Sequence, residues 1–250
     1  MAKKASPIQA DSGYSLRGRQ GVVIEAIGRS IVGGRYAPGS LLPREDDLCE
    51  EYGVSRTTIR GAMTVLAAKG LIEIRPKVGT KVRPRALWND FDSNLLSWSH
   101  AEGRGGDLME ALIELRQVME PMAARLAATR ATMVELGPLK QAADGLTESV
   151  GDAEAYPEWD VAFHQAVYSA SHNPLLARFG VLVADFMRIA FEIQQNDIRD
   201  TSMLTIDAER HFRVYEAISR GDAETAASAM LDVVLDGKSA LAAALSDNKN

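Results

Sequence analysis

Cysteine is almost missing from this chain: Cys49 is the single one in 250 residues. No internal disulfide can form, which fits a reducing compartment and excludes a disulfide-stapled secreted scaffold. Nothing near Cys49 would activate it, so it reads as a small packing hydrophobe. Long apolar runs are missing too, and none approaches the ~20 residues that cross a bilayer. The chain also lacks the short motifs of several enzyme classes. There is no His-Glu-x-x-His, no nucleophile elbow, no phosphate loop and no Glu-x-x-His pair of the di-iron type. Residues 1–14 carry lysines but no apolar core, so they read as a disordered tail and not as a signal peptide. From residue 92 onward strand signals are nearly absent, which leaves helices as the building material.

What is present is a charge asymmetry. The net charge is −6, but residues 1–85 hold 15 Lys/Arg against 8 Asp/Glu, a net of +7. Residues 86–250 hold 13 against 26, a net of −13. A length of 250 residues allows two domains, and this split suggests that only the first meets nucleic acid.

Val22, Val23, Ala26, Ile27 and Ile31 recur at helical spacing between Leu16 and Gly33. A second helix is expected from Arg44 to Tyr52, with acids crowding its first turns, and Gly53 supplies the bend after it. Ser55 is a good N-cap for a third helix, Arg56 to Lys69, whose inward stripe is Ile59, Ala62, Met63 and Leu66. Arg56, Thr57, Thr58 and Arg60 then gather donors and cations at a helix N-terminus, where phosphates and base edges are best met. A short hairpin follows, with Lys77 and Gly79 at its tip and Thr80 opening its second strand. The pattern is a winged helix-turn-helix over residues 15–84 that binds double-stranded DNA. A winged helix used for protein contacts is the alternative, and the exposed Arg/Thr cluster argues against it.

These residues resemble the GntR superfamily of bacterial regulators. The resemblance is carried by Pro38-Gly39, Leu42-Pro43, Val54-Ser55-Arg56-Thr57-Thr58, Gly70-Leu71-Ile72 and Gly79-Thr80. It implies that Arg56, Thr57, Thr58 and Arg60 contact the operator, with Arg56 and Arg60 reading guanine. It extends DNA contact to Arg44, Ser55, Lys77, Gly79 and Thr80. Many members hold an arginine early in the second helix where this chain has Asp46, and the wing has Lys77-Val78 in place of a glycine-arginine pair. A shifted, weaker wing contact is expected.

Residues 85–91 read as a linker with aromatic anchors Trp88 and Phe91, and residues 92–250 as an all-α bundle for effector binding and dimerisation. Expected helices span 92–101, 107–130, 132–149, 152–172, 174–196, 201–220 and 222–246, with Gly137-Pro138 and Asn173-Pro174 among the punctuation. Leu108, Leu112, Leu115, Met119, Met122 and Leu126 form an expected inward stripe, and Pro121 is expected to kink that helix. This region resembles the FCD effector domain of the FadR-type subfamily. The matching residues are Glu114-Leu115-Arg116, Glu120-Pro121, Asp160 to His164, Asn173-Pro174-Leu175, and His211 leading through Ala217-Ile218 to Gly221-Asp222. Trp88-Asn89, Leu95-Leu96 and Trp98 look most like members that sense sugar acids.

Asp160 and His164 share a helix face at i, i+4, and His211 lies on the inward stripe of a later helix. Converged, the three could hold a divalent cation such as Zn, Ni or Mn. The resemblance implies a further histidine 22 residues beyond His211, where this chain has Val233; Asp207 is a possible stand-in. Without a metal, Asp160 and His164 would form a hydrogen-bonded structural pair. Arg116 could meet an effector carboxylate or pair with Glu120, and Arg188 is a second candidate cation for the effector. His100 and His172 read as helix-end residues. The expected protein is a cytoplasmic, nucleoid-associated homodimeric repressor, mainly α, released from its operator by a small organic acid and making no membrane contact. A metal-sensing regulator and a helical metal-dependent enzyme fused to a DNA module are the alternatives.

Overall fold

A computed structural model describes residues 18–194 and 201–247. The expected N-terminal tail lies outside the described residues, as do the last two residues expected in the helix over 174–196. The described residues fall into two compact units that divide between residues 109 and 110.

The N-terminal unit holds α1 (Gly18–Val32), α2 (Glu45–Tyr52), α3 (Arg56–Ala68), the hairpin β1 (Ile72–Arg75) and β2 (Gly79–Val82), and α4 (Ser93–Ala101). The strands pair antiparallel, Ile72 opposite Val82 and Arg75 opposite Gly79, and Leu41 forms an extra bridge with Lys81. Gly53 ends α2 in the left-handed conformation (φ 62°), which turns the chain into α3 at little steric cost. One core joins Val23, Ile27 and Ile31 of α1 to Leu48, the α3 stripe of Ile59, Ala62, Met63 and Leu66, and Leu71, Ile72 and Val82 of the wing. Cys49 packs half-buried against it.

The same core takes in Trp88, Leu95 and Trp98. So the stretch expected as a linker, and the first helix expected in the C-terminal bundle, close on the winged helix. Three contacts cause this. A Cβ on Gly28 would lie 2.4 Å from the Trp98 ring, so only glycine lets α4 lie this close to α1. Lys69, at the end of α3, is buried and donates to Asp92 (2.7 Å) and Asn94 (2.7 Å). Asp92 in turn caps α4 by accepting from the amides of Asn94 and Leu95. Phe91, expected as an anchor, is exposed.

The C-terminal unit takes in all but the start of α5 (Gly106–Arg130), and α6 (Met133–Glu148), α7 (Ala155–Ala170), α8 (Pro174–Gln194), α9 (Thr201–Ser219) and α10 (Ala223–Asp247). Helix α6 packs on α7, α7 on α8, α8 on α10, α10 on α9 and α9 on α6. α8 is apolar nearly all round and is the most enclosed, burying Phe179, Leu182, Val183, Phe186, Met187 and Ile189 among others. Gly137-Pro138 lies inside α6 and does not punctuate it. α5 continues unbroken through Pro121.

The inward face of α5 differs from the expected stripe. Met109, Leu112, Arg116, Glu120, Ala123, Ala124 and Ala127 are the buried residues. Met122 is 47% exposed and Val118 66%, while Leu115, Met119 and Leu126 are half-buried. The helix is rotated so that a charged pair faces inward and part of the apolar stripe faces out. Hydrophobicity alone could not give that rotation, because His164, which pairs with Glu120, and Phe186, whose ring lies under Arg116, are far away in sequence.

Candidate functional site

The first site is the exposed end of α3. Ser55 Oγ accepts from the Thr58 amide at 3.2 Å and lies 2.9 Å from Thr58 Oγ1, so these two hydroxyls fix the helix start. Arg56, Thr57 and Arg60 project outward, with the Arg56 and Arg60 side chains 65% and 67% exposed. Arg44 is exposed at the N-cap of α2, where its amide donates to Asp47 at 3.1 Å. Two ion pairs cross between the helices: Arg56 Nη2 to Asp46 Oδ1 at 2.7 Å, and Arg60 Nε to Glu45 Oε2 at 2.9 Å. In the wing, Lys77 occupies the exposed tip with φ 64°, Gly79 opens β2, and the Thr80 carbonyl accepts from Leu42 at 2.9 Å. Thr80 is held in the sheet, so Lys77 is the wing's reaching group.

The second site is buried between α5, α7 and α9. Asp160, His164 and His211 each offer one ligand atom within 4.8 Å of the others. His211 Nε2 is 3.0 Å and His164 Nε2 3.3 Å from Asp160 Oδ1, and the two Nε2 atoms are 3.4 Å apart. The opposite edge of each ring faces an acceptor. His164 Nδ1 lies 2.7 Å from Glu120 Oε2, and His211 Nδ1 lies 2.8 Å from the Asp207 carbonyl oxygen. Behind these, Arg116 Nε donates to Glu120 Oε1 at 2.5 Å, and the Tyr156 hydroxyl donates to Asp207 Oδ2 at 2.6 Å. The Arg116 guanidinium also stacks 5.2 Å over the Phe186 ring. Asp160 Oδ1 and His164 Nδ1 are buried at ion-pair distance from their neighbours without a well-aligned hydrogen bond.

Three bases (Arg116, His164, His211) and three acids (Glu120, Asp160, Asp207) therefore share one buried pocket. Burial opposes every charge, and mutual pairing outweighs it. Glu120 is held at about 2 against desolvation because Arg116 and His164 both face it. Asp160 sits far below the usual carboxylate range, with His211 and His164 overcoming the same burial. Burial would lower His211, but Asp207 and Asp160 raise it to about 9. His164 is raised against burial by Glu120 first.

The cluster opens on a cavity of about 40 Å³, also lined by Phe186, Met187, Gln194, Val233 and Lys238. That volume holds about two or three waters. Val233 stands buried on the wall where a histidine was expected. A much larger open groove of about 960 Å³ runs between α6, α7 and α9, past Trp159 and Tyr215. It contains none of the cluster, and its Asp144, Glu148, Asp152, Glu154 and Glu158 would repel an anion. The buried cluster is the better candidate for an acid guest.

Of the expected effector residues, Arg116, Asp160, His164 and His211 converge. Arg188 does not: it lies outside the cavity lining, paired with Asp185 at 3.2 Å and within 3.8 Å of Glu158. Three residues of this site went unassigned in the sequence reading. Glu120, read there only as an Arg116 partner, joins Arg116 to His164. Tyr156 orients Asp207. Gln194 presents to the cavity wall a buried Oε1 that has no partner among the described residues. The i, i+4 spacing of Arg116 and Glu120 was the available signal for the first; the others carry no local signature. His100 closes α4, and His172 follows α7 in a left-handed conformation, 3.5 Å from Glu135.

Comparison with known proteins gives two family matches. Residues 19–82 match the model for bacterial regulatory proteins of the gntR family, and residues 111–236 match the FCD domain. The galactonate operon transcriptional repressor of Escherichia coli K12 is 34% identical over 212 residues, which span 85% of this chain and 92% of that protein. The regulator LutR of Bacillus subtilis is 30% identical over 80% of this chain and 91% of its own. The Glc operon transcriptional activator of E. coli K12 is 31% identical over 79% of this chain and 78% of its own. Among solved structures, Lar of Listeria monocytogenes superposes with a TM-score of 0.61 at 17% identity, covering 92% of this chain and 99% of that one, which supports the fold.

Proposed function

This chain is a transcriptional regulator of the gntR family with an FCD effector domain, and we propose that it represses a catabolic operon for a sugar acid or a related small carboxylate. It is a regulator and not an enzyme. The carrying observation is the convergence of Arg116, Asp160, His164 and His211 on one buried cavity. Arg116 gives Nε and Nη2 to Glu120 and leaves its Nη1 amino group to donate to a guest carboxylate. Gln194 Oε1 suits a hydroxyl donor, and Lys238 adds positive charge to the lining. The galactonate operon repressor, by its name, serves the operon of a sugar acid, which agrees with this guest.

Asp160, His164 and His211 fit a divalent cation. Each histidine turns Nδ1 to an acceptor and Nε2 to the shared centre, the arrangement in which a second shell orients metal ligands. A dication replacing the two Nε2 protons would leave the charge balance unchanged. When bound it would supply a Lewis-acidic centre for the effector carboxylate. Val233 gives no fourth protein ligand, which leaves a position for that carboxylate.

A sugar acid needs several times the present volume, so entry requires α8, α9 and α10 to part. That requirement makes the guest selective for one state, which is what coupling to DNA release needs. A homodimer would present two reading heads to a palindromic operator. The outward apolar stripe of α5 supports that assembly.

The test is a melting-temperature screen of the purified protein against sugar acids and small carboxylates, alongside metal analysis by mass spectrometry. One class of acid should raise the melting temperature, and the metal should approach one equivalent. A flat response to every acid would remove the effector reading. Metal-free protein that still responds would leave Asp160, His164 and His211 as direct effector contacts.

A further inference from the structure

Two ion pairs tie the first turn of α2 to the recognition helix. Glu45 and Asp46 lie on the first turn of α2, and each carboxylate reaches a recognition-helix arginine, at 2.9 and 2.7 Å. Their side chains are 41% and 66% exposed. Exposed pairs of this kind contribute little to folding, about 0–1 kcal/mol. Acids in a helix's first turn also complement its dipole, but Asp47 sits in that turn as well and accepts a backbone amide there. The pairing with Arg56 and Arg60 is therefore a separate feature.

Its chemistry points at DNA. A guanidinium has five donors in a rigid fork. Glu45 takes Arg60 at Nε, which leaves both terminal amino groups for the O6/N7 edge of a guanine. Asp46 takes Arg56 at Nη2 and leaves the rest of its fork. The carboxylates also place negative charge beside the cations that a phosphate would otherwise occupy. A base edge is neutral and tolerates that neighbour; a phosphate does not. Arg44, Arg56 and Arg60 are matched in number by Glu45, Asp46 and Asp47, so this corner of a basic domain is close to neutral.

We infer that Glu45 and Asp46 are positioning residues of the reading head: they aim Arg60 and Arg56 at bases and discourage both arginines from settling on phosphate. The inference rests on the DNA-binding reading above. It trades non-specific affinity for sequence discrimination.

The experiment compares wild type with Glu45→Gln, Asp46→Asn and the double variant by fluorescence anisotropy. Two labelled duplexes are used: one enriched from a randomised pool by the wild-type protein, and one of random sequence. Each is titrated across a salt series. The variants should bind the random duplex several-fold more tightly. The ratio of enriched to random affinity should fall about fivefold or more. The salt slope should steepen by about 0.9 for each arginine released to a phosphate. A change in melting temperature with unchanged DNA binding would make the pairs structural and overturn the inference. Variants identical to wild type in ratio and slope would overturn it too. Wild-type protein that enriches no duplex would instead defeat the DNA-binding reading itself.

Discussion

Arg60 is the residue on which the proposed operator reading turns. It stands outward from α3 with its terminal amino groups available. Arg60→Ala should cost about 1–3 kcal/mol on an enriched duplex if the contact is bidentate to guanine. Anisotropy on enriched and random duplexes checks this, and an equal loss on both would make Arg60 a phosphate contact. Arg116 presents a different problem, because it is buried and paired with Glu120. Truncating it breaks a buried ion pair and leaves Glu120 with His164 alone, which costs up to about 3–5 kcal/mol. Arg116→Ala should therefore melt earlier as well as lose its acid response. The double variant Arg116→Met/Glu120→Gln removes both charges, so it should recover most of the stability and stay deaf to the acid. Recovery of the acid response in the double variant would take Arg116 out of the effector contact. At this scale the sequence pointed to Arg116, Asp160, His164 and His211, which the fold brings to one cavity, and their effector role remains the proposal. It could not mark Gln194 or Tyr156, whose roles depend on which helices meet. It misplaced Arg188, because an arginine in an apolar helix suggests an inward anion while Asp185 and Glu158 satisfy it at the rim.

Elements were legible wherever local rules decide them. Ser55, Gly53 and the α3 stripe fixed the helix-turn-helix to within a residue or two, and caps and glycines set the helices of the C-terminal unit nearly as closely. Allegiance of elements was not legible. α4 sits with the winged helix because Gly28 leaves room for Trp98, a fit between residues 70 positions apart. Two glycine substitutions test this. Gly28→Ala would gain about 1 kcal/mol of helix propensity, but its Cβ meets the Trp98 ring at 2.4 Å. Overpacking of that kind costs about 1–3 kcal/mol, so the variant should melt lower. Gly237→Ala on α10 has open space around it and no proline after it, so it should melt higher by the propensity term alone. Thermal denaturation of both variants decides, and a stabilised Gly28→Ala would mean α4 does not pack this way. The rotation of α5 was also hidden. Buried Arg116 and Glu120 displaced Met122 from the expected inward face, and only their distant partners explain why.

The whole molecule divides its charge and its work. A basic reading unit of 15 Lys/Arg against 8 Asp/Glu precedes an acidic remainder of 13 against 26, which was plain from composition. The 40 Å³ cavity could not be read in advance, since a sequence does not give a volume. The proposed dimer places the outer stripe of α5, with exposed Val118 and Met122, at its interface. Sedimentation should find wild type as a dimer and Met122→Glu as a folded monomer with weakened operator affinity; a dimeric Met122→Glu would move the interface elsewhere. No helix among the described residues is long and apolar enough to cross a membrane. The central claim is that a small anion captured among the C-terminal helices releases DNA from the N-terminal head. The most direct measurement follows a labelled, wild-type-enriched duplex by anisotropy while the acid that raises the melting temperature is titrated in, for wild type and for Asp160→Asn. Wild type should let go of the duplex as the acid saturates, and Asp160→Asn should hold it throughout. An acid that binds and melts as expected yet leaves wild-type DNA affinity unchanged would contradict the account.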